Sequence, residues 1–445
     1  MILGHPVAAC ARPGLNRPID CAPAGSASRL WASPLETAFT IFVVTVPMIG
    51  TFSPVEAYLA RQSFSLQSMP VTSESSFSSS TVAFSIVLST YTMLALRQWP
   101  SVLRECTRNW PLLAFTAYAL ATSAWAAAPE ISVNRGGRMA IVVLVAIYIT
   151  QRYAAEDLAK LLTMSFLVSA GASALIVAVA PDLGTSGLVG QSGAWRGALT
   201  HRNGLRGMAA IGLIISVGSH HIRSSPLGAI AAALLLLLLI MSRSATAIVE
   251  TIGAACSALY LGRLVRAQQD VERLFLAAVG LLLIGICGLG LYFGDELTAL
   301  IGRDTSFTGR TVVWNAVQIA IDQKPMWGYG HGFWISASPA LSEVMNYLRW
   351  ASPEAHNTWL DIRLQLGAVG LGLAVGLWSL AALISARAVL VYRQYDAVVW
   401  TVLLVAIFLR SFSETELVDP GITGMFWFSL AYAGLLRSLP SHRLR

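Results

Sequence analysis

The chain has 445 residues, of which 55% are hydrophobic and only 12% are charged. An ordinary soluble domain carries roughly 25% charged residues, so this composition, with a mean hydropathy of +0.64, excludes a water-soluble protein. Disorder and a disulfide scaffold are excluded as well, because apolar content is too high and five cysteines are too few.

The net charge of +7 rests on 28 arginines and two lysines, Lys160 and Lys324. No basic run is dense enough to indicate nucleic acid as a partner. Cytoplasmic loops facing the anionic lipid of a bilayer account for the excess.

In chain order, residues 1–34 read as a mobile cytoplasmic tail, rich in Pro, Ala and Arg and without the apolar core of a signal peptide. Twelve apolar stretches then read as membrane spans: 35–53, 78–96, 110–128, 138–151, 158–180, 204–219, 226–241, 245–262, 273–293, 365–386, 397–410 and 421–437. The fourth, sixth and eleventh are short. The resulting expectation is an all-α polytopic membrane protein. Helices 1–9 lie within 35–293, one large periplasmic loop covers 294–356, helices 10–12 lie within 357–437, and a short cytoplasmic tail covers 438–445.

With both termini inside, the cytoplasmic segments hold 17 basic against 8 acidic residues, as the positive-inside rule requires. Cys10, Cys21 and Cys106 then fall in the cytoplasm and Cys256 and Cys287 in spans, so no disulfide is expected.

Basic residues on the outer face run against that rule. They are Arg135, Arg138, Arg196, Arg202, Arg243, Arg303, Arg310 and Arg349. Each alone is explained by snorkelling to headgroups or by an acidic neighbour. As a set they suit an anionic ligand, because planar guanidinium forks match phosphate oxygens. Arg243 is the most pointed case, lying in a tight link between two long apolar spans. A charge at that depth is costly unless it is paired or faces water.

The 294–356 loop is expected to carry short helices. Thr308 caps the first, Arg310 falls in its first turn near free backbone N–H groups, and Pro325 stops it. Trp314, one turn on, suits either the membrane interface or a stacked sugar. The following Gly328-Tyr329-Gly330-His331-Gly332-Phe333-Trp334 lacks the features of a nucleotide loop and reads as a tight aromatic turn. His331 there is open to a structural role or a substrate contact.

A second helix start is read at Ser352-Pro353, which places His356 at the end of its first turn. The helix dipole there would keep the imidazole neutral and able to accept a proton. No HExxH, CxxC or DxD pattern occurs, and His201 falls on the opposite side of the membrane from His220 and His221, so no metal site and no cofactor is expected.

The segment from Thr308 to Gly370 resembles the O-antigen ligase/polymerase family of bacterial envelope proteins. The resemblance rests on Gly309-Arg310-Thr311 with Trp314, on Pro325-Met326-Trp327 running into the Gly-rich aromatic turn, and on His356-Asn357 followed by Gly367-Ala368-Val369-Gly370. Trp195-Arg196-Gly197, His201-Arg202-Asn203-Gly204 and Ser242-Arg243-Ser244 add looser support.

The resemblance implies a GT-C-like, metal-independent inverting glycosyltransferase of the bacterial inner membrane. Its donor would be an undecaprenyl-pyrophosphate-linked glycan on the periplasmic side. It also implies that His356 is the general base and that Arg243, Arg310 and, more weakly, Arg202 hold the pyrophosphate. Arg135, Arg138 and Arg196 are weaker candidates for the same cradle. Trp314, His331 and Asn357 are candidate contacts for sugar or acceptor.

The form of the aromatic turn resembles exopolysaccharide polymerases, which join repeat units to one another. The alternative is a ligase that transfers a glycan to lipid A–core. Besides donor, acceptor and bilayer, a chain-length regulator is the remaining partner to consider. A third reading is a transporter or flippase of lipid-linked sugar. Glu250 inside the eighth span is the one feature that it explains better, the alternative for that residue being a pairing with a nearby arginine or hydroxyl.

Overall fold

The structure, a computed structural model, describes residues 33–49, 99–186, 193–199, 202–243, 245–273, 276, 310–336, 338–348, 354–418 and 423–440. The regular structure of these residues is helical, with one isolated bridge between Thr185 and Trp195. In chain order the main helices are α1 (Pro34–Ile49), α2 (Trp99–Arg108), α3 (Trp110–Ala121), α4 (Pro129–Arg152), α5 (Ala155–Val179), α6 (Arg202–Gly218) and α7 (Pro226–Met241). They continue with α8 (Ala245–Arg266), α9 (Arg310–Gln323), α10 (Pro339–Leu348), α11 (Thr358–Ala386), α12 (Asp396–Arg410) and α13 (Thr423–Ser438).

Local chemistry sets several of these starts. The Ser225 hydroxyl accepts from the Gly228 N–H at 3.1 Å and Pro226 opens α7, where its missing N–H costs nothing. Pro129 and Glu130 open α4, and Arg152 closes it, matching the helix dipole at both ends.

The twelve-span reading meets the structure unevenly. Spans 78–96 and 273–293 fall almost wholly outside the described residues, while each of the other ten coincides with a helix. Among the described residues only three helices are by themselves long and apolar enough to cross a bilayer: α4, α5, and α11 with its π-helical continuation to Val391. Helices α6, α7, α12 and α13 have 15–17 residues, below the ~20 that a full crossing takes. Helix α8 is long enough but carries Glu250 and two terminal arginines.

Two boundaries are corrected. Stretch 110–128 holds only the 12-residue α3 and a 3-10 turn, whereas the span read as 138–151 is the full α4, so Arg135 and Arg138 lie on a helix. Helix α2 was not expected at all.

Helix α7 explains why this is a membrane bundle. It is apolar all round, yet Ile230, Leu236, Leu237 and Ile240 remain exposed, as do Leu175, Val179, Leu259 and Leu383 on other helices. Apolar surface on that scale fits lipid, not water. Behind it, α4, α5, α6, α7, α12 and α13 share one buried core that includes a stacked Phe166–Trp427 pair.

The long loop builds a second, smaller core. Val313, Val317 and Ile321 of α9, Val344 and Leu348 of α10, and Tyr329, Phe333 and Trp334 of the aromatic turn pack with Ala355 and Leu364.

Candidate functional site

The small core holds its loop against a break in α11. At Gly367 the backbone leaves the helix (φ 68°, ψ −168°), and a Cβ there would lie 2.2 Å from the Met326 carbonyl oxygen. The N–H groups freed by the break find partners: Ala368 donates to the Pro325 carbonyl (2.9 Å) and Val369 to that of Met326 (3.4 Å). Just upstream, the Leu364 and Gln365 carbonyls accept from Tyr329 N–H (3.0 Å) and Gly330 N–H (2.8 Å). The tight aromatic turn expected from the sequence is therefore anchored on a helix kink.

The second helix start is misplaced in the sequence reading. Residues 354–357 are not helical, and α11 begins at Thr358. Its cap is Asn357, whose Oδ1 accepts from Trp359 N–H (3.0 Å) and Leu360 N–H (3.2 Å). Asn357, expected as a substrate contact, thus spends its carbonyl oxygen on the helix. His356 stands before the cap in a left-handed conformation (φ 51°), which a side chain adopts only when its surroundings enforce it.

Those surroundings are specific. Trp314 donates its indole N–H to the Ala355 carbonyl at 3.0 Å. Asp361, fully buried, accepts from Ala355 N–H at 3.1 Å, from the Trp334 indole and from the Thr415 hydroxyl. The Thr358 hydroxyl donates to the Glu414 carbonyl at 2.8 Å and accepts from Glu416 N–H at 2.9 Å. The loop bearing His356 and the 411–418 segment after α12 are stitched into one unit.

Glu414 is the centre of that unit. Its Oε1 pairs with Arg206 on α6 and lies 3.3 Å from Nη2 of Arg310, the first described residue of α9. Asn203 Nδ2 donates to the same oxygen at 3.3 Å. On the other side, Oε2 lies 3.5 Å from His356 Nδ1, which also sits 2.8 Å from Glu354 Oε1. That Nδ1 is buried and faces both carboxylates at once.

A parallel pair joins Arg410 to Glu416 at 2.8 Å. Gly207 leaves room for it, since a Cβ there would meet the Arg410 guanidinium at 2.4 Å. Glu250 accepts from the Ser413 hydroxyl at 3.3 Å and has Arg410 and Arg206 within electrostatic reach, the pairing that the sequence left open.

The dipole argument for a neutral His356 is overturned by this geometry. Burial alone would lower its pKa, but Glu354 and Glu414 outweigh burial and push it up to about 9. Glu414 moves the other way: burial would raise it, yet His356, Arg206 and Arg410 bring it down to about 2. Burial raises Glu416 to about 7 against the pull of Arg410, with Glu414, Glu250 and Glu354 adding repulsion. The arrangement can hold an imidazolium on carboxylates and offers cationic forks beside it.

The remaining candidates divide. Arg202 opens α6 one turn before Arg206, on the same face, and its buried Nε has no hydrogen-bond partner among the described residues. Arg243 is exposed at the corner between α7 and α8, with a left-handed backbone (φ 50°), two turns before Glu250. Arg196 donates from Nε to the Leu183 carbonyl at 2.9 Å. His331 is 2% exposed, and burial with nearby Arg135 lowers its pKa to about 3, so its ring is out of a substrate's reach in this conformation. Arg303, Arg349, Thr308, Ser352 and Pro353 lie outside the described residues.

Sequence reasoning missed Arg206, Arg410, Glu414 and Glu416. The usable signal was an arginine inside an apolar stretch, which applied to Arg206 as much as to Arg243. It also missed two groups of three side chains whose ligand atoms lie within 4.8 Å of one another: Glu354, His356 and Glu414, and separately His220, His221 and Asp396. In the first group Arg206 and Arg310 already compensate Glu414, so the set reads as an ion-pair network.

Comparison with known proteins gives two matches. Residues 229–375 match the family described as O-antigen ligase, a stretch that holds Arg243, Arg310, Trp314 and His356 but ends before Arg410 and Glu414. The chain is also 25% identical over 331 residues to the exopolysaccharide production protein ExoQ of Rhizobium meliloti (strain 1021), covering 71% of this chain and 74% of that protein. The two matches together support an O-antigen ligase/polymerase-like family for this membrane protein.

Proposed function

We propose that the chain is an inverting glycosyltransferase that polymerises exopolysaccharide or O-antigen repeat units on the periplasmic face of the inner membrane. Its donor is an undecaprenyl-pyrophosphate-linked oligosaccharide. The carrying observation is the single carboxylate of Glu414, which draws Arg310 and Arg206 to one side and His356 to the other.

In this reading Arg310, with Arg243 and Arg202, takes the donor pyrophosphate and stabilises its charge as the sugar C1–O bond breaks. His356, in the fraction that has first given up its own proton, removes the proton from the attacking acceptor hydroxyl through Nε2, its nitrogen away from the carboxylates. Glu354 and Glu414 stabilise the imidazolium that results. The new glycosidic bond and the released pyrophosphate balance the step, with the proton resting on His356. The transfer itself then needs no metal. Trp314 and Asn357 position His356 by fixing the residues on either side of it.

The similarity to an exopolysaccharide production protein favours polymerisation. The O-antigen ligase match favours transfer to lipid A–core as the second reading. One experiment separates them: protein in liposomes with a lipid-pyrophosphate-linked oligosaccharide, with and without lipid A–core, read as product size on a gel. A ladder without lipid A–core is expected, and a product that requires it means a ligase. His356→Ala should lower the transfer rate by about 100-fold or more while the protein stays folded. Wild-type transfer by that variant would overturn the assignment of the base.

A further inference from the structure

Helices α6 and α12 pack side by side, and the ends away from the Glu414 cluster carry a second group of polar side chains. Arg206 to His220, and Asp396 to Arg410, are each fourteen residues apart, or about 20 Å along a helix. His220 and His221 stand in the turn that leads from α6 to α7, and Asp396 is the first residue of α12.

Asp396 Oδ1 lies 3.3 Å from His220 Nδ1 and 3.0 Å from His221 Nε2. The two rings lie against each other with centroids 3.8 Å apart, and the three ligand atoms fall within 4.8 Å of one another.

Those separations have a meaning for metal chemistry. Two ligands on one tetrahedral ion with bonds of about 2.0 Å sit about 3.3 Å apart. The two nitrogens already stand near that spacing from the carboxylate oxygen, although Asp396 is 175 positions from His221. The donor set is also selective. Two imidazoles and one carboxylate suit zinc and its neighbours, whereas magnesium and calcium take oxygen sets and copper(I) takes thiolates. All three side chains are 24–38% exposed, so an ion and a completing water can enter from solvent.

Neighbouring charges leave the carboxylate available. Arg223 and Arg266 both donate to the Tyr395 hydroxyl, at 3.0 Å and 2.8 Å, and lie over its ring. The Glu156 carboxylate, paired with Lys160 at 2.6 Å, adds negative charge in electrostatic reach of His221.

We propose that His220, His221 and Asp396 form a binding site for a divalent transition ion of the zinc class, with water as a fourth ligand. The ion ties the α6–α7 turn to the start of α12, the two helices whose other ends hold Arg206 and Arg410. Its role is therefore structural, separate from the transfer step.

The test uses the full chain in detergent, purified with a histidine-free tag, stripped with EDTA and dialysed against micromolar zinc chloride. Wild type should retain about one zinc per chain, and cobalt(II) in its place should give the intense visible bands of tetrahedral ligation. His221→Ala should retain none, and Asp396→Asn, which keeps the side chain's shape, should bind at least about tenfold more weakly. His356→Ala should bind as wild type does. Zinc should raise the melting temperature of wild type and leave that of His221→Ala unchanged, with the two stripped proteins melting alike. No retained zinc, equal retention by both altered proteins as an adventitious ion gives, or loss in His356→Ala would each overturn the proposal.

Discussion

The two ends of the α6–α12 pair solve the same problem differently. At one end Arg206, Arg410, Glu414 and Glu416 are 4%, 12%, 8% and 6% exposed, and each charge meets an opposite one on another element. At the other, His220, His221 and Asp396 are 24–38% exposed, and only hydrogen bonds and weak ion pairs join them. Burial decides what a charge requires. In the dry end an unmatched charge would cost several kcal/mol, so the protein itself supplies every counter-charge. In the wet end solvent or a bound ion can supply it.

Removing one partner at each end should break the symmetry sharply. Arg206→Ala leaves Glu414 buried with less compensation and should destabilise the protein by about 3–5 kcal/mol. His220→Ala, in metal-free protein, should cost about 0–1 kcal/mol, as exposed ion pairs do. Thermal or denaturant melts of the two variants in detergent measure the difference, and similar losses would contradict the contrast.

A smaller effect should appear with pH. The folded-state pKa of His356, about 9, lies above its unfolded value of about 6.5. Its contribution is therefore complete below about pH 6.5 and disappears as pH rises through about 9. The size is on the order of 2 kcal/mol, allowing for its partial exposure. Melting temperatures from pH 6 to pH 10 should fall for wild type relative to His356→Ala, and parallel curves would remove the carboxylates' hold on the ring.

The smallest effect is geometric. Arg243→Lys keeps the charge but loses the two-pronged fork, so transfer should drop by about tenfold with unchanged expression. Equal rates would mean that only charge matters there.

Much of the helical frame was legible in the sequence, because apolar stretches carry it. Residues 226–241 coincide with α7, and α6 and α12 were placed within two residues of their bounds. The stop of α9 before Pro325 was also legible, since a proline acts locally, whereas the Thr308 cap read for its start lies outside the described residues. The start of α11 was not legible. Ser352-Pro353 has the right chemistry for a helix start, but Asn357 caps better once Asp361 and Trp314 pin Ala355. The identity of His356 as the residue of interest survived that error, whereas its electrostatics did not. Glu354 is two residues away, but Glu414 comes from the far side of α11 and α12, and no local pattern announces it. Arg206 and Glu414 are 208 positions apart, and each looks like an isolated charge beside apolar sequence.

The proposed transfer depends on Glu414 acting through His356, and the pH dependence of transfer by Glu414→Gln against wild type tests that most directly. Glutamine keeps the shape and removes the charge that holds the imidazole pKa up. A base works only when neutral, so the variant's activity should persist to a pH lower by about one unit or more. The same profile in both proteins would contradict the account, placing Glu414 in the scaffold and leaving His356 to work without it.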